Sequence, residues 1–204
     1  MSVDPTIIWC MGCNKEPGSP YYCAKCQKGL AASMREARTR VLIDTFRRVG
    51  LPNCSLPTKG SEQKSQIFYA LDPRVKVNDP AARRLAAALL QYGDAAPAHQ
   101  KDWWSGFLWS TASKLLDRLN PEHGDLNIDN LTSLEGLGIA ELGHEHHTAW
   151  RDQIITDTIT RRVESDRLTF ITTTMPKQTL QDAYGTHGPR LLAALDEIGW
   201  TEVT

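Results

Sequence analysis

Between residues 66 and 198 the chain alternates short apolar runs, rich in β-branched and aromatic residues, with longer segments of helical periodicity. No other feature limits the fold so strongly. Parallel strands need a crossover of a dozen or more residues, usually a helix. The alternation therefore predicts an α/β fold, with a mainly parallel sheet flanked by helices on both faces. "QIFYALDP" reads as a short strand closed by a Pro turn. "PAARRLAAALLQYG" reads as a helix with Pro80 at its start and Gly93 at its stop. "GFLWSTASKLLDRL" gives a strand over 107–110 and a helix over 112–119, and "NIDNLTSLEGLG" is a weaker strand candidate. "HTAWRDQIITDTITRRVESD" is helical, with Trp150, Ile154, Ile155, Ile159 and Val163 as its apolar positions. "RLTFITTTMP", 167–176, is the clearest strand, ended by Pro176. Two helices, near 178–184 and 189–198, close the chain.

A different chemistry stands in front of this body. Four of the five cysteines form two C-x-x-C pairs, Cys10 with Cys13 and Cys23 with Cys26, and nine residues separate the pairs. Each pair supplies two thiolates from one tight turn, and two such turns close tetrahedrally on one ion. The spacing predicts a small zinc ribbon holding one structural Zn²⁺, since four sulfurs leave no open coordination position. Cys54 reads as an ordinary small apolar residue. Behind the ribbon, 29–49 has helix formers with apolar positions at Leu30, Met34, Val41, Leu42, Phe46 and Val49. Between residues 25 and 48 stand seven bases, Lys25, Lys28, Arg35, Arg38, Arg40, Arg47 and Arg48, against two acids. They are the candidate contacts to nucleic acid or to a partner; a solvated helix face is the alternative reading. The expected organisation is a zinc module and basic helix over 1–49, a Pro/Gly/Ser-rich linker over 50–65, and the α/β body over 66–204.

Charge follows the same division. Residues 1–64 carry ten bases and five acids, so the remainder carries thirteen and nineteen. A basic front end with an acidic body favours an acidic partner for the front end alone. No apolar run approaches the roughly 20 residues of a membrane span. The first nine residues lack a basic, then apolar, leader. A cytoplasmic protein with no membrane partner is the expectation, and there paired cysteines read as metal ligands.

The order of elements resembles the DnaC/IstB-like AAA+ ATPases, the helicase loaders and transposition helper ATPases. The likeness is strongest over "WRDQIITDTITRRVESDRLTFITTTMPKQTLQDAYG", which has that family's helix ending in Arg, its sensor strand, and its helix ending near Tyr-Gly. "FLWSTASKLLDRL" resembles the strand and helix before the Walker B strand, and "GLPNCSLPT" the segment joining a front module to the core. The resemblance implies a P-loop-NTPase-like body of AAA+/RecA type.

Departures from the family bear on function. A phosphate loop needs glycines, a Lys and a hydroxyl. Its place falls on "DPRVKVND", 72–79, which has no glycine, with Asn78 for the Lys and Asp79 for the hydroxyl. "TKGSEQKS", 58–65, contains Lys64-Ser65 but precedes a strand instead of following one. The family ends its Walker B strand with two acids before Leu-Gly. Matched to "LTSLEGLG", this leaves Glu135 for metal and Gly136 for the second acid. The Ser-Arg-Leu sensor falls on Ala193-Ala194-Leu195, with Arg190 nearby, and Thr173 and Thr174 fall at the polar sensor. Arg161 and Arg162 fall where the family presents an arginine to a neighbour's nucleotide, or else form a charged helix end. "HEHH", 144–147, reads as a polar loop and helix start, because adjacent residues on a helix point about 100° apart; a weak metal site is the alternative.

These residues argue against ATP as a cofactor and predict a pseudo-ATPase, not an enzyme. The expected function is that of a non-catalytic helicase-loader-like protein of DNA replication, binding a replicative helicase or other replication protein, single-stranded DNA, or both. A phage or mobile-element origin suits such a protein. Two alternatives stay open: a zinc-dependent DNA-binding or transposition accessory protein, and an active loader with an unusual phosphate loop.

Overall fold

The computed structural model describes residues 29, 43–52, 64–72, 74–95 and 103–204. The chain divides into two compact units, Met1–Thr45 and Phe46–Thr204. Cys10, Cys13, Cys23 and Cys26 lie outside the described residues, as do Cys54, Lys25, Lys28, Arg35, Arg38 and Arg40.

Five strands build the sheet of the larger unit: β1 (Gln66–Tyr69), β2 (Phe107–Thr111), β3 (Gly136–Ala140), β4 (Leu168–Thr173) and β5 (Trp200–Glu202). Their order is β2-β3-β4-β1-β5, and every pairing is parallel. The connecting helices are α1 (Asn78–Ala95), α2 (Ala112–Arg118), α3 (Ile128–Ser133), α4 (Ala149–Glu164), α5 (Lys177–Ala183) and α6 (Gly188–Ile198). This is the parallel, helix-flanked sheet that the alternation requires.

Strand side chains alternate between the two faces, and two cores follow. On one face Phe68, Phe107, Trp109, Ala140 and Phe170 pack against Ala81, Ala82, Leu85 and Leu89 of α1. On the other, Ile67, Leu137, Ile139 and Ile171 pack against Leu115 and Leu116 of α2, Ile155 and Ile159 of α4, and Leu191 and Leu195 of α6. The glycines of β3 fit this arrangement. Gly136 and Gly138 pair with Phe107 and Trp109 of β2. A Cβ on either would lie 2.6 Å from the Phe107 ring or 2.1 Å from the Trp109 ring. Their bareness lets two aromatic rings lie across the strand.

Local signals set the element ends. Thr111 caps α2 by accepting from Lys114 N, and Thr148 caps α4 by accepting from Arg151 N. Asn127 and Asn130 form a reciprocal capping box that starts α3, so "NIDNLTSLEGLG" is a helix followed by β3, not one strand. Residues 43–49 are helical. Their end is a glycine stop: Gly50 stands at φ +87, its N–H reaches Arg47 O at 3.2 Å, and Leu51 N–H reaches Phe46 O at 2.9 Å. Phe46, Val49 and Leu51 then pack in the α1-side core.

Among the described residues no helix is long and apolar enough to cross a membrane.

Candidate functional site at the carboxyl edge of the sheet

In a sheet of this kind, ligands bind outside the carboxyl ends of the strands, where the strand order reverses. The chain leaves β1 for β2 at the far edge, then returns through β3 and β4 to β1's side. The crevice therefore lies beyond β1, β3 and β4. The loop from β1 to α1 enters it first. Within that loop, Val75 N–H donates to Asp72 O (3.0 Å), Val77 N–H to Val75 O (2.9 Å) and Asp79 N–H to Lys76 O (3.2 Å). Arg74 N–H donates to Asp72 Oδ1 at 2.9 Å. A phosphate loop turns such groups toward an anion; here the loop's own oxygens hold these four. The Arg74 guanidinium clasps both Asp72 oxygens and holds that carboxyl below its ordinary range. Asp79 supplies negative charge to the first turn of α1, where the helix end favours it, and pairs with Arg83 at 3.3 Å. Asn78, at the family's Lys position, accepts a hydrogen bond from the Thr172 hydroxyl.

The end of β3 corrects the placement of the acids. Glu135 precedes β3 at the amino edge of the sheet and pairs with Arg167 at 2.8 Å. The carboxyl end of β3 reads Ala140-Glu141-Leu142-Gly143. An acid does stand directly before Leu-Gly, but it is Glu141, and the position before it is the buried Ala140. Glu141 is exposed and has φ +62, a left-handed conformation costing a non-glycine residue about 1 kcal/mol. Two hydrogen bonds hold it there: its N–H donates to Thr172 Oγ1 at 3.0 Å, and its carbonyl accepts from His144 N–H at 3.2 Å.

"HEHH" is a loop leading to α4; His144 turns toward Thr174, while Glu145 and His147 both turn toward Gly143 and Tyr184. His144 Nε2 meets Thr174 Oγ1 at 2.7 Å, and His147 Nδ1 meets Asp152 Oδ1 at 2.7 Å. Among the described residues no three metal-ligating side chains converge. Glu145 turns inward: one oxygen accepts from Gly143 N–H at 2.9 Å and the other from the Tyr184 hydroxyl. Burial, reinforced by the Glu145 charge, pushes the Tyr184 phenol well above its ordinary pKa. Burial acts to lower the His147 pKa, but the Asp152 carboxylate, the Gly143 carbonyl and Glu145 together raise it above the ordinary histidine value. Gly143 is thus gripped at both N–H and C=O. Thr173, at the sensor position, is buried, donating to Leu142 O and accepting from Met175 N–H.

Other positions singled out in the sequence fall elsewhere. Arg161 is exposed and reaches Asp129 at 3.4 Å. Arg162 is fully buried at the amino edge, donating to the carbonyls of Leu131, Leu134 and Leu168 and to Thr169 Oγ1. It neither reaches a neighbour nor decorates a surface. Burial pushes its pKa down to about 9, so it stays charged at neutral pH. Arg190 pairs with Asp157 at 2.6 Å, while Ala194 and Leu195 are core residues. Ser65 precedes β1 and binds β4 through Thr169 N–H at 3.0 Å, so it stands at the opposite edge from the crevice. Arg47 and Arg48 are both exposed on the 43–49 helix.

No family model matches the chain, and no curated protein matches it. Solved structures do. The crystal structure of the DnaC helicase loader superposes with a TM-score of 0.54 at 19% identity, over 81% of this chain and 89% of that one. The crystal structure of DnaI superposes with a TM-score of 0.50 at 16% identity, over 82% of this chain and 85% of that one. At such identities the likeness is one of fold: the chain has the parallel α/β fold of the DnaC helicase loader and of DnaI.

Proposed function

We propose that this is a non-catalytic, helicase-loader-like protein of DNA replication, which acts by binding a replicative helicase without an ATP-hydrolysis cycle of its own. The observation that carries the reading is the carboxyl edge, set in a fold shared with the DnaC helicase loader. There the N–H groups of Arg74, Val75, Val77 and Asp79 are bonded within their own loop, and Ala140 stands beside Glu141 where the resemblance calls for a second acid. Phosphoryl transfer is mostly positioning and charge stabilisation by backbone, Lys and metal; among the described residues of this edge, Asn78 stands where the resemblance calls for the Lys and those four N–H groups are already bonded. Such a body acts as an adaptor or an inhibitor.

The front module fits the same role, with Cys10, Cys13, Cys23 and Cys26 holding one structural zinc ion. The basic surplus of residues 1–64 favours a second reading, in which this end binds single-stranded DNA and supplies the main activity.

Sedimentation of the full-length chain with a replicative helicase separates the two, at about 50 and about 300 mM salt. A complex that persists at both concentrations supports the first reading. Loss of helicase binding throughout, with DNA binding that falls steeply with salt, supports the second. Metal analysis should return one zinc ion per chain, lost in Cys13→Ser.

A further inference from the structure

Beyond β3 and β4 lies a hollow of about 320 Å³ lined by Val77, Glu141, His144, Thr173 and Thr174. We propose that it receives an arginine side chain of a partner protein, with the Glu141 carboxylate as the counter-charge. The inference rests on the reading that this edge does not hold a nucleotide.

The sign of the site comes first. Glu141 is exposed at the rim, and no cation among the described residues pairs with it. Two bases of the adjoining loop and helix are committed elsewhere, Arg74 to Asp72 and Arg83 to Asp79, and Arg84 does not line the hollow. Lys76 is exposed beside Val77 but does not line the hollow. Four N–H groups of the adjoining loop, those of Arg74, Val75, Val77 and Asp79, are bonded within it, and an entering anion meets the Glu141 carboxylate. A cation meets acceptors. A metal ion finds only Glu141 and His144 as strong ligands, fewer than a protein site needs.

Shape and preorganisation select the kind of cation. The volume stands at the lower end for ligand sites, with room for one long side chain. Thr173 has its hydroxyl bonded on both sides, so it and Val77 present an apolar wall for the stem or flat face of a guanidinium. The His144–Thr174 pair closes another side. Glu141 is fixed at φ +62 by bonds on both its N–H and its carbonyl, so the carboxylate springs from a set point. Both of its oxygens are open to a bidentate fork, which arginine offers and lysine does not.

The test uses the ¹⁵N-labelled full-length protein, with Nα-acetyl-arginine amide as probe and the lysine analogue, inorganic phosphate and Mg-ATP as comparators. The amide signals of Glu141, His144 and Thr174 are followed. The arginine probe should shift all three saturably and more tightly than the lysine analogue, with phosphate inert. Glu141→Gln should weaken the arginine probe by about fivefold. Glu141→Asp keeps the charge and tolerates the left-handed backbone, and should weaken it less. Signals unmoved by arginine, or binding unchanged in Glu141→Gln, overturn the inference alone. Signals moved by Mg-ATP overturn both the inference and the proposed function.

Discussion

Both ring nitrogens of His147 face oxygens, Asp152 Oδ1 at 2.7 Å and Gly143 O at 3.3 Å. The doubly protonated ring is the one form that donates to both. Burial opposes that charge, but the surrounding oxygens prevail and the folded pKa is raised. A group raised in the folded state contributes stability that is fully present below its unfolded pKa and is lost as pH rises through the folded value. The melting temperature should therefore fall as pH rises past the ordinary histidine value and through the raised folded one, and Asp152→Asn should flatten that slope. Ring titration by NMR checks the cause directly: a midpoint at or below the ordinary histidine value contradicts it. Arg162 is the other residue whose environment decides its role. Its guanidinium serves the buried carbonyl of Leu131, the half-buried carbonyls of Leu134 and Leu168, and one hydroxyl. Arg162→Met leaves those carbonyls without partners and should cost about 3 kcal/mol, measured by urea unfolding. A loss below about 0.5 kcal/mol would place the residue at a tolerant surface instead.

At the level of elements, what the sequence discloses depends on how local the signal is. β1, β2, β4 and α4 are legible because β-branched runs and helical periodicity lie within each segment. β3 is not: "GLGIA" holds two glycines whose purpose is to admit Phe107 and Trp109 from the neighbouring strand. That opacity shifted the expected acids to Glu135 and Gly136. The pattern that finds the true position was present, since Glu141 stands directly before Leu142-Gly143. α3 is hidden within "NIDNLTSLEGLG" because it is only six residues long and β3 follows within three residues; Asn127 and Asn130 mark its start. β5 spans three residues and exists through its pairing with β1. Gly50 shows the reverse case, a residue with a legible local function as a helix stop. A Cβ there would lie 2.5 Å from Trp109 O, and φ is +87. Gly50→Ala should destabilise by about 1–2 kcal/mol, visible as a lowered urea midpoint with an unchanged slope. No change would mean that the 43–49 helix ends in some other way.

For the whole molecule, the fold and the edge it builds carry different information. Parallel topology and helix placement follow from patterning, and the likeness to the DnaC helicase loader is one of fold. The departure of 72–79 from a phosphate loop was legible, from its lack of glycine and from Asn78 standing where that loop has its Lys, with Lys76 two residues early. The inner bonding of the crevice was not. The Glu145–Tyr184 contact joins residues 39 apart, and Thr172–Asn78 joins residues 94 apart, so each needs the folded chain. Together these contacts make a carboxyl edge that is stitched to itself, with Glu141 exposed beside the hollow at β3 and β4. The proposed function requires that this edge not take nucleotide phosphates. Titration calorimetry of the full-length, zinc-loaded protein with Mg-ATP, with turnover measured on the same sample, tests it most directly. Neither binding heat nor hydrolysis is expected. Micromolar binding with turnover would contradict it, and would return the protein to the ATP-driven loaders.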